Sequence, residues 1–218
     1  MTSPPPPPPP PPPSIAIILC STRTPRICPQ IAAFVTSTIS TLTPSLTTPT
    51  SPPHPPYTLH TLDLLAHPLP FFDEPLLPSQ ITHPSSYTHS HTRAWSQEVS
   101  RHAAYVFVTP QYNWGYPAVV KNAIDFLYHE WRGKAGMIVS YGGHGGGRAA
   151  GQLREVLGGV RMRVAETMPA LTFPSKDAML LASKGEELPL SGEEAIWRDE
   201  RAVIGKAFEE LLALVAEG

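Results

Sequence analysis

Two kinds of apolar pattern alternate along the chain. Short unbroken runs rich in β-branched and aromatic residues fall at 14–19 (SIAIIL), 105–109 (YVFVT) and 137–140 (MIVS). Runs of this kind suit strands buried on both faces, as in a parallel sheet. Residues 57–63 (YTLHTLD) alternate like a strand, and 162–165 form a further short one. Between these runs, apolar residues recur at helical spacing. Residues 30–42 place Ile31, Phe34, Val35 and Ile39 on one side, with Pro29 just inside the helix start. The same spacing predicts helices over 88–102 (Trp95, Val99), 118–128 after Pro117, 148–157, and 192–216 (Ile196, Val203, Phe208, Leu211, Leu212).

The order is βαβαβαβαβα. Strands alternating with helices imply an α/β fold with a parallel sheet covered on both faces. Five strands fit a flavodoxin-like doubly wound sheet of order 2-1-3-4-5. Ligands of such sheets bind beyond the carboxyl ends of the strands, where the strand order reverses. Here that point lies between strands 1 and 3, with strand 4 adjacent. The chemistry is therefore expected in three loops, 20–29, 110–117 and 141–148.

Composition divides the chain. Of 28 Pro, 23 fall in residues 1–84, whereas all 15 Gly follow residue 114. The first strand thus lacks the glycine-rich turn of a dinucleotide fold. Ten consecutive prolines, Pro4–Pro13, exclude helix or strand interior there. Residues 1–13 read as a polyproline arm reaching about 30 Å, and 14–218 as the folded domain. The bland reading of the arm is a disordered extension. The sharper one is a docking site for profilin, SH3 or WW modules, which no basic or aromatic flank supports. A Pro/Ser/Thr loop is expected at 43–56. Residues 64–84 form a long apolar loop containing LPFFDEPLLP, of the kind that serves function or an interface.

A net charge of −2, from 16 basic and 18 acidic residues, supplies no field for nucleic acid or an anionic membrane. Two cysteines make no disulfide framework. No apolar run reaches the roughly 18–20 residues of a membrane span, and no basic-then-apolar leader is visible. A soluble cytoplasmic protein is expected.

The first of the three loops carries Ser21, Thr22, Arg23 and Arg26 between a buried strand and a helix start. Arg23 and Arg26 are the only Lys or Arg before residue 93. Hydroxyls, guanidiniums and helix-start amides together suit a phosphate. The second loop packs Tyr112, Trp114 and Tyr116 into five residues, and both Asn of the chain, Asn113 and Asn122, lie in or near it. Aromatics there can wall a flat ring. The third loop, Ser140-Tyr-Gly-Gly-His-Gly-Gly-Gly-Arg148, lets backbone approach a ligand closely.

Residues 109–154 resemble the NADPH-dependent FMN reductase family. Its pattern P-x-Y-N-x-x-x-P-x-x-L-K-N-A-I-D, then W-x-G-K, then S-x-G-x-x-G-G, is matched densely by TPQYNWGYPAVVKNAID, WRGK and SYGGHGG. The first loop follows the family's G-S-x-R-x-x-S more loosely: Ser21 and Arg23 keep their places, Cys20 replaces Gly, and Arg26 replaces the second Ser. The resemblance spans roughly 14–185. It implies that Ser21, Arg23 and Arg26, with Ile27 beside them, hold the phosphate of FMN. It implies that Pro110, Gln111, Tyr112, Asn113 and Trp114 border the isoalloxazine, and that Ser140, Tyr141, Gly142 and Gly143 meet its pyrimidine side. NADPH then donates hydride at flavin N5, with no catalytic side chain or metal needed, and a quinone, flavin or azo compound accepts the electrons. A homodimer or homotetramer is the expected assembly.

Rival readings are a flavodoxin-like electron carrier or an FMN-bound regulatory protein, though such carriers are usually strongly acidic. Cys20-x5-Arg26 also resembles the low-molecular-weight tyrosine phosphatase loop. That reading lacks a hydroxyl after Arg26, where Ile27 stands, and the chain has no Asp-Pro pair. Residues 145–150 satisfy G-x-G-x-x-A, but the 52 residues after Glu166 leave no room for the rest of a dinucleotide domain. His83, His89 and His91 suggest a metal cluster, but no carboxylate is nearby in sequence and the segment is loop-like, which favours a solvated or packing role. His144, inside the third loop, could approach a flavin or a nicotinamide phosphate, although a histidine in a glycine loop is more often incidental.

Overall fold

The structure is a computed structural model, describing residues 11–46 and 56–217. The expectation of a polyproline arm therefore falls largely outside the described residues, as does most of the 43–56 loop.

The first strand, β1 (Ser14–Leu19), leads into α1 (Cys28–Leu46) and β2 (Thr58–Asp63). There follow α2 (Ser90–Ser100), β3 (Ala104–Pro110), α3 (Ala118–Asp125), β4 (Ala135–Gly142) and α4 (Gly147–Gly159). The chain closes with β5 (Arg163–Val164), β6 (Ala170–Thr172), α5 (Lys176–Lys184) and α6 (Glu200–Ala216). The sheet order is β2-β1-β3-β4-β5, all pairs parallel, as the alternation of strands and helices implies.

Alternate residues of the central strands feed two cores. Ile15, Ile17, Val106, Val108, Met137 and Val139 face α1 and α6. Ala16, Ile18, Tyr105, Phe107 and Ile138 face α2, α3 and α4. The runs read as unbroken because both faces of β1, β3 and β4 are buried.

The edge beyond β4 departs from the expected single strand at 162–165. β5 pairs the start of β4, and β6 pairs its end, Ser140↔Ala170 to Gly142↔Thr172. Between them the chain is drawn off the ladder. The Glu210 carboxylate on α6 accepts bonds from Thr167 N (2.7 Å) and Thr167 Oγ1 (2.6 Å). Pro169, next to β6, has no N–H to give a neighbouring strand. Helix α5 lies in a stretch where sequence periodicity placed nothing. The closing helix begins at Glu200, later than 192.

The apolar loop after β2 is pinned by polar groups. Asn122 accepts from Phe72 N (2.9 Å) and donates to Pro70 O (2.6 Å). The buried Glu74 carboxylate accepts from Thr88 N and His89 N, each at 3.0 Å, at the start of α2. Glu130, also buried, accepts from Ser96 Oγ (2.6 Å) and Tyr87 Oη (3.1 Å). Phe71 nevertheless points outward, 87% exposed.

Phe107 sits fully buried on β3 against Tyr105 and Trp131. Phe107→Ala is expected to lower unfolding free energy by about 3–5 kcal/mol, seen as a drop in urea midpoint at unchanged slope. An unchanged midpoint would contradict this account of the core.

Candidate functional site

Strands β1, β3 and β4 end side by side. Leu19 pairs with Val108, Val108 with Val139, and Pro110 with Tyr141. Their loops therefore emerge together at one edge, where they enclose a cleft of about 170 Å³.

From the first loop the cleft takes Ser21, Arg23, Arg26 and Ile27. Ser21 is wholly buried, and its Oγ lies 2.8 Å from Tyr112 Oη, joining the first loop to the second. Arg26 is already engaged. Its Nη1 lies 2.8 Å from Asp63 Oδ1 and 2.5 Å from Ser21 O, and its Nη2 lies 2.5 Å from Asp63 Oδ2. The bidentate pair holds the Asp63 carboxyl below its usual range, through the hydrogen bonds from Arg26 first. The reading of Arg26 as a free phosphate ligand is thereby changed. It lines the cleft, but Asp63 neutralises its charge and it braces the loop. Arg23 is exposed and donates to Ser183 O on α5, with no carboxylate paired to it among the described residues. Arg23 is the uncompensated cation of the cleft.

From the second loop come Pro110, Gln111 and Tyr112. Gln111 N donates to Tyr141 O (3.0 Å), and Gln111 Oε1 accepts from Ala149 N (3.2 Å), so this residue locks the second loop to the third. Asn113 and Trp114 form the tip of a tight turn and stand outside the cleft lining. From the third loop come Tyr141, Gly142 and Gly143. Ser140 is buried and donates to Gly145 O (2.8 Å), shaping the loop from below without reaching the cleft. Gly145 and Gly146 have φ of 72° and 82°. A Cβ there would meet Thr172 Oγ1 at 2.8 Å and Ser140 Cβ at 2.9 Å respectively. These two glycines let the turn press on β4 and β6, leaving Gly142 and Gly143 to face the cleft.

Thus ten of the thirteen sequence-predicted residues line one cleft. Four lining residues escaped prediction: Phe173, Met179, Ala182 and Ser183, all after β6. Signals for α5 are present in the sequence. Ser175 Oγ caps it by accepting from Ala178 N (3.1 Å), Asp177 and Lys184 sit at the ends their charges favour, and Gly185 terminates it. Gly185 has φ of 70°, and a Cβ would come within 3.2 Å of Arg26 N. The helix end thus packs directly on the first loop.

Neither cysteine is placed as an exposed thiolate. Cys20 is buried and donates to Ile18 O (3.5 Å), Cys28 donates to Val108 O (3.5 Å), and burial pushes both thiols up. Tyr141 is likewise held as a neutral phenol by burial. For the histidines, a carboxylate is present after all: Asp73 Oδ1 lies 3.7 Å from His89 Nε2 and 3.5 Å from His91 Nε2. His83 instead caps a short turn through Ser85 N. No group of three or more metal-ligating side chains among the described residues has the arrangement to hold an ion.

The sequence model of the NADPH-dependent FMN reductase family matches residues 13–173. An NAD(P)H-dependent FMN reductase of Schizosaccharomyces pombe is 48% identical over 160 residues, 73% of each chain. One of Saccharomyces cerevisiae is 45% identical over 164 residues, 73% of this chain and 83% of that one. Among solved structures, an oxidoreductase of Corynebacterium diphtheriae superposes with a TM-score of 0.60 at 19% identity, covering 95% of this chain and 98% of that one. That likeness concerns the fold.

Asp63→Asn removes the charge that fixes Arg26. It is expected to cost about 1.5–3 kcal/mol of stability at pH 7. Because the folded carboxyl lies below its unfolded value, the pair's contribution is complete above about pH 5 and fades as pH falls below about 4. Urea unfolding of both proteins across that range should show the difference shrinking toward acid. A difference that is absent at pH 7, or that grows toward acid, would contradict the assignment.

Proposed function

The chain belongs to the NADPH-dependent FMN reductase family, and on that premise we propose that it passes hydride from NADPH through bound FMN to a quinone, a flavin or an azo compound. The observation that carries this reading is the convergence of an unpaired arginine, a buried serine and two backbone-rich walls at the carboxyl ends of β1, β3 and β4.

The donor set fits FMN. Arg23, with Ser21 and the loop's backbone, suits the phosphate, and Gln111–Tyr112 and Tyr141–Gly143 offer peptide groups on either side of a flat ring. Gly142 and Gly143 remove side chains where that ring would lie. When bound, FMN supplies the capacity to take two electrons as hydride and release them to an acceptor. The protein's tasks are binding and orientation. Asp63 and Arg26 hold the first loop in shape, and the Ser21–Tyr112 bond sets its distance from the second. Gln111 fixes the second loop against the third. Buried Tyr141, with half-buried Phe173 and exposed Met179 beside it, gives the cleft an apolar wall.

The cleft of about 170 Å³ is below the roughly 300–1,000 Å³ typical of ligand pockets. Helix α5 accounts for this, since its Ser183 carbonyl takes the Arg23 guanidinium and Met179 Sδ would lie 3.1 Å from a Cβ on Gly143. Bound FMN would take the Arg23 guanidinium from Ser183 O, and on this reading α5 would have to move outward to admit it.

The assembly we propose is a homodimer or homotetramer. The support is the apolar loop after β2, where Phe71, Leu77 and Leu76 are 87%, 62% and 52% exposed. We place the protein in the cytoplasm; its two free thiols suit a reducing compartment. Among the described residues no helix is long and apolar enough to cross a membrane.

Purified protein is expected to be yellow, to bleach with NADPH without oxygen, and to regain colour with a quinone. Protein that is yellow but inert to NADPH would favour an electron carrier or regulatory role, and protein that takes up no FMN would sink the reading. Arg23→Ala should weaken FMN binding about ten- to hundredfold in a titration of apoprotein. Unchanged affinity would remove Arg23 from the phosphate site.

A further inference from the structure

We propose that Trp114, His144 and Arg148 form a recognition site at the rim of the cleft for an anion carried on a flat ring. This rests on the flavin-reductase reading, in which donor and acceptor approach the cleft from its open side. Trp114 and His144 stand close to that opening, two residues after Tyr112 and one after Gly143, both of which line it.

The backbone around Trp114 is unusual. Tyr112 N donates to Gly115 O (2.8 Å) and Gly115 N to Tyr112 O (3.0 Å), so Asn113 and Trp114 are the two central residues of a hairpin turn. Their φ values are 48° and 69°. Such a turn favours Asn followed by Gly, because both central residues need positive φ. Here the glycine position holds the largest side chain available. A bulky residue in this region is strained and points to a role outside the fold. Core packing does not offset the strain, since the indole remains 50% exposed. Gln152 Nε2 donates to Trp114 O (3.3 Å), tying the turn to α4.

The indole is flanked by two nitrogen-bearing groups. The Arg148 guanidinium carbon lies 4.3 Å from its ring centroid. The His144 ring lies 5.7 Å away, tilted by 38°. Arg148 is the second residue of α4, where the helix dipole disfavours a cation. No carboxylate pairs with it among the described residues, and both it and His144 are exposed. An unpaired planar cation lying on an aromatic face can stack with a second ring and still grip an anion with its N–H fork. The quoted family pattern leaves positions 114 and 144 open.

Two ligands share this chemistry. One is the adenosine 2′-phosphate of NADPH. The other is an aromatic acceptor bearing a sulfonate or carboxylate. The test is calorimetric titration of FMN-loaded protein with 2′,5′-ADP against 5′-AMP, and with 1-naphthalenesulfonate against 1-naphthalenemethanol. Wild type and Arg148→Gln are compared, with Trp114→Gly as a second variant that relieves the turn. At least one anion-bearing probe is expected to bind more tightly than its counterpart, and at least tenfold more weakly to both variants, with the counterpart losing less than the anionic probe. An effect on 2′,5′-ADP assigns the site to the donor, and one on naphthalenesulfonate assigns it to the acceptor. Anionic probes that bind no better than their counterparts, or that bind Arg148→Gln as well as wild type, would overturn the proposal. Protein that retains no FMN would instead sink the reading of the previous subsection, and the same titration on it still scores the anion site.

Discussion

The pairing of β1 on both flanks is the constraint from which the rest follows. β1 pairs in parallel with β2 on one side and β3 on the other. In a parallel sheet each strand must be followed by a crossover, and right-handed crossovers on the two sides of β1 run along opposite faces. Helix α1 accordingly packs on one face, and α2, α3 and α4 on the other. The loops after β1 and β3 diverge, and the opening between them is the cleft. Every residue assigned to flavin binding owes its position to this divergence. Burial of both faces of β1, β3 and β4 makes the framework stiff enough to hold three loops in fixed relation.

Within that frame, charge is distributed with economy. The cleft has two arginines, but Asp63 at the end of β2 takes up one of them and fastens the first loop to the neighbouring strand. Arg23 remains without a carboxylate partner among the described residues, and our proposal gives it the phosphate. The loop contains no glycine; what it offers the cleft is hydroxyls, a guanidinium and helix-start amides. The glycines of the third loop do two jobs. Gly145 and Gly146 allow the turn to press on the sheet, and Gly142 and Gly143 present backbone without side chains to the cleft.

Much of this was legible in the sequence because local signals and tertiary structure agree. The unbroken apolar runs announced strands buried on both faces, and the order of elements then placed three loops at one edge. The rest depended on pairings distant in sequence. Asp63 is 37 residues from Arg26, and nothing local links them. Asn122, grouped with the aromatic loop by proximity, serves the apolar loop instead through Phe72 and Pro70. Asp73 meets His89 and His91 only after that loop folds back. The edge strand was misjudged because Glu210, on the last helix, draws Thr167 off the ladder. Helix α5 carried its caps in plain view, at Ser175 and Gly185, but its short apolar stripe is weak. The turn at Asn113 and Trp114 was invisible because Trp stands where such turns favour Gly.

We place the flavin site at the ends of β1, β3 and β4. A crystal structure of the protein with FMN tests it most directly. The phosphate is expected within hydrogen-bond distance of Ser21 and Arg23, with the ring between Gln111–Tyr112 and Tyr141–Gly143 and α5 displaced from the first loop. FMN bound elsewhere, or with its phosphate remote from Arg23, would contradict it.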